Sequence, residues 1–424
     1  MDGFPPASKR LGKRRRHARV LVVGASPPTE AELLDRHPDP PFIASRRSAV
    51  APFLAMEVMR EAASLERAGG SVLHLEVGEP GAPAPRLARE AAIAALEVGR
   101  IGYTEALGQP ALRRRIAAYY AESHGLAVSA DRVVVTTGSS GGFILAFLAL
   151  FDAGARVAIA APGYPAYRNT LRALDLQAVD LPTGPETGHL VTADAVLAEH
   201  RREPLKGVLL MSPANPTGTV MPPEHLAAVA RLCEQEGIAF ISDEIYHGLT
   251  YGPRAATALS FSDRCVVVNS LSKYFCMTGW RVGWLVLPEA LVRPVERLQQ
   301  NLSISVPTLS QIAATAAFDA GEELEAVKAG YAHSRAVLLD RLPAMGLGEF
   351  SPVDGAFYIY ADVGRFTNDS VEFCRRLLAE TGVAITPGLD FDLERGHRTV
   401  RLSFAGPTAV VAEALDRLEQ WLPR

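Results

Sequence analysis

Short apolar runs alternate with amphipathic segments through most of the chain. Helical spacing of apolar positions at 51–68 leads into a first apolar run at 72–77, and further helical patterns cover 87–98 and 110–124. The apolar runs that predict strands in this region are 72–77, 133–135, 157–160, 208–211, 238–241, 266–268 and 282–287. Short apolar strands separated by helices are typical of sheets covered on both faces. The pattern therefore predicts an α/β fold, a large domain with a mostly parallel sheet flanked by helices.

The last third of the chain has a different pattern. Long helical patterns at 290–302 and 307–342 precede shorter apolar runs that predict strands at 356–360, 383–385 and 400–404. We therefore predict a smaller α+β domain, built from the N-terminal segment and the C-terminal region. The predicted divisions are a tail at 1–45, an N-terminal arm with part of the smaller domain at 46–85, a large domain at 86–305 and a small C-terminal domain at 306–424.

Composition argues against several classes of protein. Hydrophobic residues make up 48% of the 424 residues, which is ample for a core. No apolar run reaches the ~18 to 20 residues of a membrane helix, and no apolar stretch with a cleavage site follows the basic N-terminus. The four cysteines lack zinc-binding spacing. We therefore expect a cytoplasmic protein with reduced cysteines, no metal and no membrane partner.

The N-terminal segment differs from the rest of the chain in charge. Residues 1–20 carry seven basic side chains and one acidic one, whereas the whole chain has a formal net charge of −4. The remainder is therefore acidic, and we expect no nucleic-acid partner. The basic, Pro-rich segment 1–45 is predicted to be a disordered extension. An interaction arm or a targeting segment is the alternative interpretation.

Distinctive polar and aromatic side chains follow the predicted strands. In chain order they are Ser139, Ser140, Tyr164, Asn215, Asp243, Tyr246 and Lys273. The carboxyl ends of parallel strands share one edge of a sheet, where open α/β sheets bind their ligands. The sequence therefore predicts that these side chains meet at one site.

This set of groups suits a phosphorylated pyridine aldehyde. A helix that begins after a Gly/Ser turn, 137–142, offers backbone N–H groups for a phosphate, and Arg281 offers a guanidinium. Lys273 is an amine for a Schiff base with the aldehyde. A buried carboxylate such as Asp243 holds a proton on the ring nitrogen. An aromatic side chain covers the face of the ring.

Two motifs carry a resemblance to a known family. The stretch S-L-S-K-Y-F-C-M-T-G-W-R-V-G at 270–283 resembles the lysine signature of class I/II, fold-type I, pyridoxal-phosphate-dependent aminotransferases, and S-P-A-N-P-T-G at 212–218 resembles their N-P-x-N-P-T-G loop. The resemblance covers roughly residues 45–424. It implies pyridoxal 5'-phosphate as the cofactor and ping-pong transamination between an amino acid and a 2-oxo acid. It also implies a homodimer with shared active sites.

The resemblance assigns roles around the cofactor ring. Lys273 corresponds to the Schiff-base lysine, and Asp243 corresponds to the partner of the pyridinium nitrogen. Tyr246 and Asn215 correspond to residues that hydrogen-bond the phenolic oxygen. Tyr164 falls where the family stacks an aromatic on the ring. Lys273, Asp243 and Tyr246 are therefore the predicted catalytic residues.

The resemblance also assigns the phosphate and substrate contacts. The residues implied to hold the phosphate are Ser139, Ser140, Ser270, Arg281 and, from the neighbouring subunit, Tyr103. Arg401, in V-R-L-S-F, is implied to bind the substrate α-carboxylate. Gly78 is implied to lie against the substrate through its backbone, and Asn215 also faces the substrate.

Three alternatives remain open at this point. A carbon–sulfur lyase or an aminocyclopropane-carboxylate-type synthase would use the same residues. The run G-S-S-G-G at 138–142 also fits the G-x-S-x-G turn of an α/β-hydrolase, with Ser140 as nucleophile, Asp390 as acid and His397 as base. That arrangement leaves Lys273 and Asn215 without a role, and it predicts a protein without a coloured cofactor.

The sequence gives only one indication of the substrate. In dicarboxylate-specific relatives an arginine of the neighbouring subunit often binds the second carboxylate. The corresponding stretch here, Q-Q-N-L-S-I-S-V-P at 299–307, has no arginine. We therefore expect a neutral or apolar amino donor, with glutamate or 2-oxoglutarate as its partner.

Overall fold

The structure is a computed structural model that describes residues 43–423. The prediction for the tail at 1–45 therefore falls almost wholly outside the described residues. Within residues 43–423 the strands are, in chain order, β1 Leu73–His74, β2 Val133–Thr136, β3 Arg156–Ala161, β4 Gln177–Pro182, β5 Gly207–Met211, β6 Ala239–Asp243, β7 Val266–Ser270, β8 Gly283–Val286, β9 Tyr358–Asp362, β10 Val383–Ala384, β11 Thr386–Pro387 and β12 Thr399–Ser403.

The α-helices flank and connect these strands. Within the same residues they are α1 Leu54–Arg67, α2 Arg86–Val98, α3 Pro110–His124, α4 Gly138–Leu150, α5 Pro165–Ala173, α6 Ala193–Arg202, α7 Pro223–Glu236, α8 Glu289–Leu302, α9 Thr308–Ala317, α10 Gly321–Ala344, α11 Ser370–Thr381 and α12 Thr408–Trp421. The helix predicted at 307–342 is thus two helices. Phe318, between them, packs against Phe275 with ring centroids 4.8 Å apart, and this tertiary contact coincides with the break.

The largest sheet has seven strands in the order β2-β8-β7-β6-β5-β3-β4. All neighbouring pairs are parallel except those that β8 makes with β2 and β7. The predicted α/β fold with a mostly parallel sheet is therefore confirmed. The strand β4 was not predicted because Q-A-V-D-L-P mixes polar and apolar residues, and the strand lies at the edge of the sheet with only Leu181 buried.

Three neighbouring strands at the β2 side of the large sheet are completely buried. Every residue of β2, β7 and β8 is buried, which explains why these strands read as continuous apolar runs rather than as alternating ones. A smaller three-stranded sheet, β11-β12-β9, and the pair β1-β10 share a second core. Core side chains from Val306 to Leu324 pack with the large sheet, although we predicted a domain boundary before them.

The register of the large sheet sets where the site forms. Met211, Asp243 and Val268 are register partners at the carboxyl ends of β5, β6 and β7. The antiparallel strand β8 begins at the same edge, where Ser270 pairs with Gly283. A Cβ atom on Gly283 would lie 2.8 Å from the backbone nitrogen of Ser139. Glycine at this position therefore lets the start of α4 approach the carboxyl ends of the strands.

No helix within residues 43–423 is both long and apolar enough to cross a membrane.

The substitution Leu285→Ala is expected to lower the free energy of unfolding by about 2–5 kcal/mol. Leu285 is fully buried beneath α4, where a Cβ on Gly142 would lie 3.1 Å from its Cδ2, so truncation leaves a cavity. Urea unfolding followed by circular dichroism measures the change. Leu393→Ala is the matched control, because Leu393 is 58% exposed. An equal loss in both variants would contradict the packing described here.

Candidate active site

A cavity of about 230 Å³ lies at the carboxyl edge of the large sheet. Ten of the twelve residues that the sequence predicted for the site line it. They are Gly78, Ser139, Ser140, Tyr164, Asn215, Asp243, Tyr246, Lys273, Arg281 and Arg401. The topology brings them together from positions more than three hundred residues apart in the chain, between Gly78 and Arg401.

Lys273 lies in the loop after β7 and reaches into this cavity. Its Nζ donates a hydrogen bond to the backbone oxygen of Gly78, with the two atoms 2.6 Å apart. The pKa of Lys273 is lowered to about 8, mainly by burial and also by the Arg401 and Arg281 guanidiniums, while Glu79 and Asp243 oppose the shift. An amine with this pKa has a neutral fraction near physiological pH, as a nucleophile or base requires.

Asp243 is the last residue of β6 and is 1% exposed. Its Oδ1 accepts a hydrogen bond of 3.0 Å from the amide of Ile245, and its Oδ2 accepts one from the hydroxyl of Tyr167. Burial raises the pKa of Asp243 to about 7, while the two hydrogen bonds and Lys273 lower it. The sequence analysis missed Tyr167, although it lies one helical turn after Tyr164 in A-P-G-Y-P-A-Y.

Arg401 also lines the cavity and is 2% exposed. Its Nη1 donates to Oδ1 of Asn215 at 3.0 Å, and its Nη2 donates to the backbone oxygen of Glu76 at 2.6 Å and to Oγ1 of Thr386 at 3.2 Å. Its Nε makes no hydrogen bond with any group of the part of the chain that the structure describes. None of the acidic side chains within residues 43–423 forms an ion pair with Arg401. A buried guanidinium without an acidic partner is a binding group for a carboxylate ligand.

Tyr358 of β9 contacts both Tyr246 and Arg401, and the sequence analysis did not predict it as a site residue. Its hydroxyl lies 2.7 Å from the hydroxyl of Tyr246, and its ring lies 4.4 Å from the Arg401 guanidinium carbon. A Cβ atom on Gly78 would lie 1.9 Å from the Tyr358 hydroxyl. Glycine at position 78 therefore allows the backbone to pass close to Tyr358, and its predicted contact with the substrate stays a prediction.

The start of α4 forms an anion-binding corner. Ser139 and Ser140 lie in the first turn of this 13-residue helix, where backbone N–H groups have no intrahelical partner. A Cβ atom on Gly138 would lie 2.5 Å from Nη2 of Arg281, so the guanidinium packs directly on the helix start. Amides, hydroxyls and a guanidinium at one end, with Asp243 and Lys273 farther in, fit the groups of pyridoxal phosphate.

Two predicted residues do not line the cavity. Ser270 is buried, and its Oγ accepts a hydrogen bond of 2.9 Å from the amide of Ser272, which lines the cavity together with Thr278. Tyr103 is 84% exposed and lines a separate surface groove beside Pro307. Its predicted reach into a neighbouring subunit stays a prediction.

An apolar wall closes the cavity on the side of α1. Phe53, Ala55 and Met56 line it there, and Phe53 packs edge-on against Tyr164 with ring centroids 5.9 Å apart. The start of α1 has no local side-chain cap. Instead, Asp390 accepts hydrogen bonds from the amides of Leu54 at 2.9 Å and Ala55 at 3.1 Å. The sequence analysis missed this wall, because a cap supplied from 335 residues away leaves no local signal.

The hydrolase alternative is wrong for this structure. Both carboxylate oxygens of Asp390 are used on α1, and Nδ1 of His397 lies 2.9 Å from the backbone oxygen of Glu394. His397 lines a different cavity from Ser140. The three residues therefore do not form a nucleophile, base and acid arrangement.

Comparison with known proteins matches most of the chain to aminotransferases. The family profile described as Aminotransferase class I and II matches residues 71–418. The valine–pyruvate aminotransferase of Mycobacterium tuberculosis is 53% identical over 381 residues, which cover 89% of this chain and 98% of that protein. The aspartate/prephenate aminotransferase of Thermus thermophilus is 32% identical over 387 residues, covering 90% of this chain and 99% of that protein.

Solved structures agree with the sequence comparisons. The crystal structure of an aminotransferase from Mycobacterium tuberculosis superposes with a TM-score of 0.88 at 52% identity, covering 90% of this chain and 99% of that chain. The aspartate aminotransferase of Thermus thermophilus with maleate superposes with a TM-score of 0.84 at 32% identity, covering 89% and 99% respectively. The likeness therefore extends over nearly the whole of the matched proteins.

The substitution Asp390→Ala is expected to raise the KM for an apolar amino donor about fivefold with a smaller change in kcat. Loss of a helix cap costs ~1 kcal/mol, and here the cap holds the apolar wall in place. Steady-state kinetics measure the split between KM and kcat. Asp390→Asn keeps one acceptor oxygen and should recover part of the loss. A fall in kcat alone would contradict a positioning role for Asp390.

Proposed function

The chain belongs to the aminotransferase class I and II family and is a pyridoxal-phosphate-dependent transaminase, and we propose that it moves the amino group of a branched apolar amino acid to pyruvate with Lys273 as the reactive amine. The observation that carries the residue assignment is the pairing, in one buried cavity, of Lys273 with Arg401. The first is an amine with a lowered pKa, and the second is a guanidinium that forms no ion pair with the acidic side chains of residues 43–423. An amino acid substrate presents a carboxylate to the arginine and an α-carbon to the lysine.

The cofactor is held by the groups at the carboxyl edge of the sheet. When bound, pyridoxal phosphate withdraws electrons from the carbon that carries the amino group. Ser139, Ser140 and Arg281 hold its phosphate at the start of α4, with Ser272 beside them. Tyr246 donates to the phenolic oxygen from a hydroxyl that also meets Tyr358.

The protons are handled by two residues. The neutral amine of Lys273 takes the proton from the substrate α-carbon and returns it to the neighbouring carbon. The carboxylate of Asp243 holds the proton on the ring nitrogen, and the hydroxyl of Tyr167 fixes the orientation of that carboxylate. The Oδ1 of Asn215 accepts a hydrogen bond from Arg401, so the side-chain N–H of Asn215 remains free to donate to the phenolic oxygen.

Substrate orientation follows from Arg401 and the apolar wall. Arg401 binds the α-carboxylate. The rings of Tyr358 and Phe391 have centroids 4.4 and 4.7 Å from the Arg401 guanidinium carbon, and they exclude water from it. The substrate side chain then faces Phe53, Ala55, Met56 and Ile245, which line the same cavity. The arginines that line it, among the described residues, are Arg281 and Arg401. This favours an apolar side chain over a second carboxylate.

The choice of acceptor rests on the relatives. The Mycobacterium tuberculosis protein, 53% identical, is named for valine and pyruvate. We therefore propose pyruvate rather than the 2-oxoglutarate that the sequence suggested. Proteins at 32% identity are named for aspartate and prephenate, so the more similar relative carries more weight.

The remaining proposals concern assembly and location. We propose a homodimer, because Val98 is 82% and Tyr103 is 84% exposed and a second copy would cover both. In that arrangement Tyr103 reaches the partner's phosphate site. We propose a cytoplasmic location, because all four cysteines are free and buried. The predicted domain divisions at residues 45, 85 and 305 also stay proposals.

Attachment of pyridoxal phosphate to the cofactor-free protein is expected to speed up with rising pH and to level off above a midpoint near 8. The neutral amine of Lys273 attacks, and its pKa is about 8. Stopped-flow absorbance above the protein band measures the rate, and the reaction of the cofactor with a free amine corrects for the cofactor's own ionisation. Lys273→Ala should bind the cofactor without this covalent step.

The substitution Arg401→Gln provides the matched test of the cause. Removing a nearby positive charge favours the protonated lysine, so the midpoint should move to higher pH. A midpoint that stays near 8 in Arg401→Gln would show that Arg401 does not depress the pKa of Lys273.

A panel of amino donors against two acceptors tests the substrate proposal. With pyruvate, valine and its branched homologues should give kcat/KM at least tenfold higher than aspartate, since the wall of α1 accepts apolar groups. Coupled assays of the 2-oxo acid product measure the rates. Release of a 2-oxo acid without any acceptor would instead favour the lyase alternative. Equal use of aspartate and valine would sink the substrate class while leaving transamination intact.

A further inference from the structure

A second cavity, of about 330 Å³, lies behind the loop 271–282, which carries Lys273 and which we call the lysine loop. The end of α3, the loop 247–255, Tyr274 and the start of α10 enclose it, and we call it the rear cavity. Tyr274 follows Lys273 in sequence, and His247, which also lines the rear cavity, follows Tyr246. Neighbouring residues thus face the active site and the rear cavity respectively.

Two imidazoles in the wall of the rear cavity have buried ring nitrogens that form no well-aligned hydrogen bond with any of residues 43–423. His247 is 3% exposed, and within residues 43–423 neither of its ring nitrogens makes a hydrogen bond of good geometry, although the ring interacts with the backbone of Ser212. Nε2 of His124 is also buried and unsatisfied, and the two ring centroids lie 5.3 Å apart. Beneath them Oε2 of Glu244, likewise unsatisfied, lies 3.5 Å from Nδ1 of His247, too far for a good hydrogen bond. Buried polar groups without partners in an open cavity are groups that a ligand can satisfy.

The charged side chains that line the rear cavity, Arg254, Lys328 and Glu325, carry a net positive charge. Arg254, at the mouth, makes one hydrogen bond within residues 43–423, at 3.3 Å to the backbone oxygen of Ser123. Arg254 and His124 line the same cavity, and burial together with the Arg254 guanidinium lowers the pKa of His124 to about 4. Lys328 lies 3.6 Å from Glu325, and Glu325 also accepts from the Tyr274 hydroxyl, so the charge of this acid is offset.

We propose that the rear cavity is a second ligand site that takes a small carboxylate anion, bound between the Arg254 guanidinium and the Nε2–H of His124. The aromatic faces of Tyr119 and Tyr274 line the same cavity and suit the short apolar part of such a ligand. An anion there would satisfy His124 and offset the one guanidinium at the mouth. It would also contact Tyr274, the residue next to Lys273, which makes the site suited to regulation by a metabolite.

Nuclear magnetic resonance of the holoenzyme labelled with [15N]histidine tests this site at pH 7. The imidazole signals are assigned with His124→Asn and His247→Asn, and potassium acetate is titrated against potassium chloride at equal ionic strength. We expect saturable shifts of the His124 and His247 signals with acetate alone. Arg254→Gln should weaken the binding at least tenfold, Arg254→Lys should keep part of it, and Arg201→Gln, an exposed arginine of α6, should leave it unchanged.

Each other outcome overturns the proposal. Equal shifts with chloride would mean a general salt effect. Shifts that persist in Arg254→Gln would mean that acetate acts from the active site. A response to potassium phosphate without one to acetate would exclude the carboxylate class. Failure of valine–pyruvate transfer would not bear on this result, because Arg254 and His124 take no part in that reaction.

Discussion

The buried guanidinium of Arg401 is the constraint on which the arrangement of the site depends. A charge with 2% exposure is costly unless hydrogen bonds surround it. Arg401 meets this need with the Glu76 carbonyl, Thr386 and Asn215, which come from three separate stretches of the chain. The smaller sheet, the segment after β1 and the loop after β5 are thereby fixed to one another. The positive charge itself is left for a ligand carboxylate.

The lysine loop depends on this arrangement. Burial, with a contribution from the two guanidiniums, lowers the pKa of Lys273 to about 8, so the arginine that we propose for the substrate carboxylate also affects the amine. The loop carries backbone strain as well, because Cys276 and Arg281 have φ angles of 53° and 54°. Left-handed conformations of residues other than glycine cost about 1–3 kcal/mol and persist where the surroundings enforce them. Here the buried neighbours Phe275 and Met277 supply that packing.

Prediction from sequence succeeded where a reactive or polar side chain lies at or just after the end of a strand. Asn215, Asp243 and Lys273 each follow an apolar strand, and parallel strands must end at a common edge, so strand prediction alone brought them together. It failed where a contact crosses the chain. Tyr358 and Asp390 act through neighbours more than a hundred residues away in sequence, and neither stands in a pattern that marks it. The role of Ser270 at the phosphate stays a prediction: its hydroxyl oxygen accepts a hydrogen bond from the amide of Ser272, which lines the cavity, and its O–H remains available to donate.

By itself the sequence determined the class of fold, the cofactor and the residues at the strand ends, because periodicity and short motifs are local properties of a chain. Tertiary structure decided the rest. It capped the helix α1, which closes the cavity, with Asp390, and it oriented Asp243 through Tyr167. Among the described residues it also left Arg401 without an acidic partner. It also placed His124 and His247 around a rear cavity that no motif announces. The physical reason is that burial, the main cause of the pKa shifts of Lys273 and Asp243, depends on which distant segments pack together.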